Sequence, residues 1–347
     1  MEFSSVTIPT LISVALVILD STFHVLAAPT IDYNSSVLFD PAMLFALNVV
    51  KAEEEVLIEG SFSAVGSVIS LVELANGELI SGGNDGTLRR WRDGHQIEGQ
   101  IITGQGVVFR LVQLDNGDLI SGGVDGTLRR WRNGQPIGEP IVTGQGPVLS
   151  LVQLKNDELI SGGADGTLRR WRNGRPMGET IITGQVQVLS LVQLKNGELI
   201  SGGADGTLRR WRNGQPIGKP IATDQYIVRC LVELANGELI SGGADGTLRR
   251  WRDGQPIGEP IVTNQLTIMS LVELKNGELI SAGADGTLRR WRDGQPIGEP
   301  IITGQNPVSS LLELANGELI SGGFDGTLRR WRKGKAVGPV MIPVKFQ

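Results

Sequence analysis

The sequence predicts an all-β fold, a ring of seven four-stranded sheets. Three observations carry that prediction. One forty-residue line is written seven times: SGGADGTLRRWRNGQPIGKPI at 201–221 has near-copies throughout, with repeats starting at 66, 106, 146, 186, 226, 266 and 306. Self-similarity at a period of about 20–50 residues marks solenoids, propellers and arrays. Within each copy, short apolar branched runs alternate with Asn-Gly or Asp-Gly pairs, the pattern of strands and tight turns. The composition agrees, because 48 glycines with 5% aromatic residues suit many short strands.

The fourth repeat gives each element in order. Residues 188–194 are apolar and branched enough for an inner strand. Asn196-Gly197 follows, and the pair predicts a type I′ turn with φ > 0 at both residues. Residues 199–202 form the second strand, Asp205-Gly206 a turn, 208–212 the third strand, and Asn213-Gly214 another turn. A short fourth strand is expected over 220–223, at the sheet edge, where a proline without an N–H is tolerated. One such sheet cannot bury both faces. Seven arranged radially can, each packing on its neighbours. Seven lies within the usual range of about four to eight blades, so 66–347 is expected to be a seven-bladed β-propeller. An open solenoid is the alternative, but it would want distinct capping repeats.

Residues 1–65 stand outside the repeat. LISVALVIL at 11–19 is too short for a transmembrane helix, which needs about 20 residues. It fits the apolar core of a secretory signal, with small residues for cleavage at Val25-Leu26-Ala27. The flank departs from that pattern, since residues 1–7 contain Glu2 and no Lys or Arg. Two readings stand: an export signal over 1–28, which would place the protein outside the cytoplasm, or a helix or loose arm packed on the propeller, with the protein cytoplasmic. Residues 29–65 read as a linker and a candidate closing strand. The ring then has two candidate closures. Either 340–346 forms blade 7's own outer strand, or 57–65 completes that blade.

A formal net charge of −5 gives no overall pull toward nucleic acid or anionic membrane. The single cysteine, Cys230, allows no intrachain disulfide and reads as a small buried hydrophobe. Leu-Arg-Arg-Trp-Arg recurs in every repeat and supplies 21 of the 32 Lys and Arg residues. Strand alternation places Arg210 with Leu208 and Arg212 on one face, and Arg209 with Trp211 on the other. A basic ring for phosphate or nucleic acid is one reading. Internal pairing is the stronger one, because each repeat also carries an acid at the start of strand two (Glu198) and in the next turn (Asp205). No nucleic-acid partner is expected. Nothing in the sequence says why the Arg210 column is not apolar.

Ser-Gly-Gly-x-Asp-Gly-Thr, followed by a Trp closing the third strand at a period of forty, resembles the WD40 repeat over 66–347. The resemblance implies a seven-bladed propeller and says little of function, because this fold hosts many roles. Two departures stand out. The Asp of the usual Trp-Asp pair is Arg, as in Trp131-Arg132, and the usual Gly-His reads Gly-Gln, as in Gly104-Gln105. The resemblance also implies a hydrogen-bonded set pinning each blade. In blade 2 this would be Gln105, Ser121, Asp125 and Trp131, the Gln amide donating to the Asp carboxylate as an imidazole would. The Gln amide cannot titrate, so no histidine-type pH response is expected of the set. Blade 1 has Val65 at the Gln position and is expected to hold Asp85 less well.

Where the copies differ, the differences fall in the fourth-to-first-strand loop, the start of the inner strand and the second-to-third-strand turn. All lie toward one rim, a common partner-binding face in the WD40 family. The candidate binding residues there are Asn84, Phe109, Arg110, Tyr226, Arg229, Leu266, Met269 and Phe324. Aromatic and Arg anchors are what interface hot spots use, whereas drift in a solvated loop favours polar residues. The expected function is a non-catalytic interaction scaffold, a monomeric ring without a stable membrane span, that binds a protein or peptide on this rim. A glycan-binding propeller with repeated sites is the alternative, but the one recurring aromatic is Trp, assigned to packing. Catalysis is not expected. The histidines are His24 and His95, so the rim can carry neither a Ser-His-Asp set nor a His/Cys metal site. The Asp-Gly turns lack the ligands of a calcium loop. No metal or cofactor is expected.

Overall fold

In the fourth repeat, Val188–Gln193, Leu199–Gly203 and Thr207–Arg212 pair antiparallel in that order. The outer strand comes in two pieces. Gln215–Pro216 pairs with Arg212 and Trp211, and Ile221–Ala222 pairs with Leu208 and Thr207. The second piece falls within the expected strand over 220–223, and the first was not expected. Gly218 turns the chain away from the sheet in the left-handed region (φ +71), and Pro220, lacking an N–H, lies in the resulting loop. Blades 2–6 share this split outer strand; in blade 1 it is one continuous strand, His95–Ile102, and in blade 7 Lys335–Ala336 is followed by a single bridge between Leu328 and Met341. The seven blades close into a β-propeller.

The computed structural model describes residues 66–344 and, as a separate unit, two N-terminal strands, Ser13–Leu19 and Thr22–Ala28. These two form an antiparallel hairpin, with Ser13 opposite Ala28 and Leu19 opposite Thr22. The rest of 1–65, including the candidate closing strand at 57–65, and residues 345–347 lie outside the described residues.

The turns are also exchanged relative to expectation. After the inner strand, Gly197 is left-handed (φ +85) and Asn196 is not. The Gly197 N–H donates to the Leu194 carbonyl at 2.9 Å, and the Leu194 N–H to the Glu198 carbonyl at 2.7 Å. This is a three-residue loop ending in a left-handed glycine, not a type I′ turn. The type I′ geometry sits between Arg212 and Gln215, where Asn213 (φ +52) and Gly214 (φ +80) are both left-handed. In blade 3, Asp157 (φ +64) occupies the place of Gly197.

Alternation gives each sheet two unlike faces. One carries Leu199, Ser201, Arg209 and Trp211; the other carries Glu198, Ile200, Leu208, Arg210 and Arg212. Unlike faces meet between blades. Val148, Leu159 and Trp171 of blade 3 pack on Ile120 and Leu128 of blade 2, with Ile141 alongside. Among the described residues there are seven such clusters, one per interface. Every Trp is at most 4% exposed, so each should cost about 3–5 kcal/mol on truncation to Ala. Its indole N–H is satisfied within the blade, as where Trp211 donates to Ser201 Oγ at 3.0 Å.

At the seam, Val68, Leu71, Leu79 and Trp91 pack on Ile320 and Leu328, and Met341 fills the place that Ile141 holds in blade 2. Met341 and Leu328 exchange both backbone hydrogen bonds, at 2.9 and 3.0 Å. The C-terminal segment therefore takes the outer place of blade 7.

The register explains the Arg210 column. Glu198, only 5% exposed, is clamped by two arginines: Arg210 Nη2 reaches it at 2.7 Å and Arg212 Nη2 at 2.9 Å. Arg210 Nη1 also donates to the Asp253 carbonyl of the next blade at 3.1 Å. Arg210 thus ties an acid buried at one end of the sheet face to the neighbouring blade.

Candidate functional site

The pinning residues of blade 2 form a chain of hydrogen bonds. Trp131 Nε1 donates to Ser121 Oγ at 2.8 Å, and the Ser121 hydroxyl donates to Gln105 Oε1. Gln105 Nε2 donates to the Thr127 carbonyl at 2.9 Å and to Thr127 Oγ1 at 3.1 Å. The Thr127 hydroxyl, in turn, donates to Asp125 Oδ1 at 2.9 Å. The amide thus reaches the carboxylate through Thr127 rather than directly. Thr127 or its equivalent opens the third strand in six of the seven blades, and its part in the chain was not read from the sequence.

Blade 1 also departs from expectation. Arg89 Nη2 closes on Asp85 Oδ2 at 2.5 Å, where the equivalent pairs are 3.7 Å in blade 2 and 3.8 Å in blade 4. Burial pushes the Asp85 carboxyl up, but hydrogen bonds from Arg89 and Thr87 outweigh it and hold it below the ordinary range. A guanidinium anchors this Asp more closely than in those blades.

On the rim, the first residue of each repeat sorts the blades. It is Gly66, Gly106 and Gly146 in blades 1–3 and Asn306 in blade 7. Between them, three adjacent blades carry exposed apolar side chains: Val186 at 67%, Tyr226 at 79% and Leu266 at 55%. Of the expected binding residues, Tyr226 and Leu266 thus stand on one arc. Asn84, Met269 and Phe324 are half-buried. Phe109 and Arg229 are buried, and Arg110 is half-buried. The reason is a bulge between Val108 and Arg110, repeated in each inner strand, that breaks the alternation at this level. Arg110 donates to the Leu189 carbonyl at 3.3 Å. As they stand, Phe109 and Arg229 offer little surface to a partner on the rim.

No family model matches the chain. No curated protein matches it. Among solved structures, it is similar to the WD40 β-propeller domain of Doa1, with a TM-score of 0.69 and 23% identity over 77% of this chain and 93% of that one. The fold is a WD40-like propeller. It is also similar to the computationally designed Ika8 protein, with a TM-score of 0.58 and 26% identity over 77% of this chain and 96% of that one.

Two surface features of the propeller were not read from the sequence. Val186 belongs to the rim arc, and the contrast with Gly106 and Gly146 at the same column could have found it. The outer strands also expose a column of apolar residues, among them Ile102, Val142, Ile182, Val262 and Ile302, at 67–82%. Their signal was the recurring apolar pair, of which the first member packs inward and the second faces water. A cleft of about 510 Å³ opens between the outer parts of blades 3 and 4, lined by Met177, Ile181, Trp211 and Ile217. It is made of repeated elements and lies apart from the variable rim. Among the described residues no His, Cys, Asp and Glu cluster suits a metal, and no helix is long and apolar enough to cross a membrane.

Proposed function

We propose that this propeller is a non-catalytic interaction scaffold that takes a protein or peptide across the arc of blades 4–6. Its repeats are read as WD40 repeats in which Trp-Arg replaces Trp-Asp and Gly-Gln replaces Gly-His. The observation that carries the functional reading is Tyr226. It holds φ +59, where blades 2 and 3 place Gly106 (φ +63) and Gly146 (φ +62). A left-handed backbone costs about 1–2 kcal/mol for a residue with a Cβ. At 79% exposure the ring recovers almost none of that through packing. A strained, exposed aromatic beside two exposed apolar neighbours supports a contact surface.

The test is affinity capture from native extract with quantitative mass spectrometry. Wild type is compared with a variant carrying Val186→Asn, Tyr226→Gly and Leu266→Asn, residue types that other blades place in this column. Equal folding is checked first. A partner retained by wild type and lost from the variant, with its purified form binding at least about tenfold more weakly, supports the reading. Retention of every partner by the variant would refute it.

A further inference from the structure

The cleft between the outer parts of blades 3 and 4 is built from repeated elements, yet its lining departs from the repeat. After the turn that follows the third strand, blades 2, 5 and 6 all read Gln-Pro-Ile-Gly-Glu-Pro, at 135–140, 255–260 and 295–300. Blade 3 replaces three of the six, with Arg175, Met177 and Thr180, and blade 4 replaces one, with Lys219. Blades 1 and 7, at the seam, depart more widely. Met177, Thr180 and Lys219 line the cleft.

The first consequence is at the sheet edge. Ile181–Ile182 pairs with the third strand alone, so its other edge is unpaired. The Thr183 N–H donates inward, to the Gly166 carbonyl at 3.3 Å. Antiparallel ladders alternate, so Ile182 and Thr180, the residue just before the strand, turn their backbone groups outward. Blades 2, 4, 5 and 6 carry Pro140, Pro220, Pro260 and Pro300 at the Thr180 position. A proline there leaves no outward N–H and blunts the edge against pairing with another chain. Thr180 restores the donor, and its N–H makes no hydrogen bond among the described residues.

The second consequence is charge. In the outer pairing Arg175 stands opposite Arg172, where blades 2, 4, 5 and 6 set Gln opposite Arg. Like charges directly opposite each other destabilise a strand pair. Alternation puts Arg172, Arg175 and Met177 on the face of Leu168, which packs on Trp211 of blade 4. On the blade 4 side, Lys219 replaces the acid that the repeat carries as Glu139, Glu179, Glu259 and Glu299. Neither Arg175 nor Lys219 makes an ion pair among the described residues, and neither does Glu179. The cleft and its margin therefore present two unpaired cations and one unpaired acid, in a chain whose net charge is −5.

We propose that this cleft is a second docking site, on the circumference of the ring, for an extended acidic peptide. The peptide adds as a strand to the Thr180–Ile182 edge of blade 3, lays an apolar side chain on Met177 and Ile217, and brings a carboxylate to Lys219, with Arg175 at the margin favouring negative charge. Strand addition supplies main-chain hydrogen bonds, and the pockets beside the edge choose the sequence. The unbranched Met177 adapts to an apolar side chain better than the Ile it replaces. The site lies apart from the rim arc and does not rest on the proposed function.

The repeat supplies the test substitutions, because four other blades carry Pro in place of Thr180 and four carry Glu in place of Lys219. The full wild-type chain is used to select a displayed library of random peptides, and enriched peptides are synthesised and titrated by calorimetry. The expected peptides carry Asp or Glu near an apolar residue. They should bind Thr180→Pro and Lys219→Glu each at least about tenfold more weakly than wild type, and Tyr226→Gly as well as wild type. Peptides that bind Thr180→Pro and Lys219→Glu as they bind wild type overturn the site. If those peptides are instead weakened by Tyr226→Gly, the rim reading stands while this one falls.

Amide hydrogen exchange on the wild-type chain needs no variant. A bound peptide should slow exchange at Thr180 and Ile182 by about tenfold or more; unchanged exchange there overturns strand addition even where a peptide binds. Failure of the library to enrich any peptide also overturns the proposal, and a dimer in sedimentation that Thr180→Pro dissolves would then give the edge to a second copy of this chain.

Discussion

The Glu73 carboxylate accepts a hydrogen bond from the backbone N–H of Ala315 at 2.6 Å, 242 positions along the chain. Gln113 accepts the same bond from Ala75, Gln153 from Asp115 and Glu233 from Lys195. The seam of the ring is therefore joined as the other interfaces are, by an inner-strand side chain reaching the first turn of the preceding blade. The seam differs in Met341, which is 3% exposed and comes from the chain's last described stretch. Met341→Ala is expected to destabilise the propeller by about 2–5 kcal/mol. Deleting residues 1–64 should leave the unfolding transition in place. Thermal unfolding of both variants checks this. A large loss on deletion with a silent Met341→Ala would mean that an N-terminal strand closes the ring.

The clamp on Glu198 predicts unequal costs for its members. Glu198 is 5% exposed, whereas Arg212 is 59% exposed. Glu198→Ala leaves Arg210 without its acid and should cost about 3–5 kcal/mol. Arg212→Ala removes an exposed partner and should cost at most about 1 kcal/mol. Urea midpoints at constant m-value would measure both. Equal costs would show that the acid is not held mainly by Arg210.

The repeat and its alternation made the blades and their two faces legible, because period and pattern are local. That the arginines pair with Glu198 was legible; why Arg210 and not an apolar residue fills its column was not. Glu198 lies diagonally across the sheet, and that neighbourhood exists only once Leu199 is registered against Trp211. The burial of Phe109 was hidden for a related reason: alternation fails at a bulge, and the sequence does not mark the bulge. Asn-Gly named both turns but not their types, since a three-residue and a two-residue loop can each end in that pair. Tyr226 and Leu266 of the rim arc were legible because Gly106 and Gly146 show what the column looks like without a large side chain, whereas Val186 was not singled out.

Acid should weaken the ring through particular carboxylates. Burial pushes the Asp118 carboxyl up, but the bonds from Arg132 and Arg130 outweigh it and hold it below the ordinary range. Asp85 is lowered likewise. A depressed folded pKa contributes stability that is complete above the unfolded value, about 3.9 for Asp, and is lost as pH falls through the folded value. Stability should therefore fall below about pH 4, and Asp85→Asn should flatten that fall. The pin of blade 2 contains Gln105 and no histidine, so it adds no step near pH 6. Denaturation midpoints from pH 2 to pH 8 would show both features.

Asp157 tests the first turn of the blade. It holds φ +64 where the fourth blade has Gly197. Asp157→Gly removes the Cβ from a left-handed position and should stabilise by up to about 1 kcal/mol. The turn itself stays satisfied, because the Asp157 N–H already donates to the Leu154 carbonyl at 3.1 Å. A loss of stability would mean that the Asp157 side chain supports the turn.

Tyr226→Gly separates stability from binding at one residue. The same strain argument predicts that the variant is more stable than wild type, by about 1 kcal/mol. If the arc is a binding surface, this more stable variant should also bind its partner less well. The two effects together are informative, because a substitution that merely damages the fold lowers stability and binding in parallel. Thermal unfolding and binding are measured on the same preparation. Higher stability with weaker binding would identify Tyr226 as a residue kept for contact at a cost to the fold. Higher stability with unchanged binding would assign Tyr226 to neither task and remove the observation on which the proposed function rests.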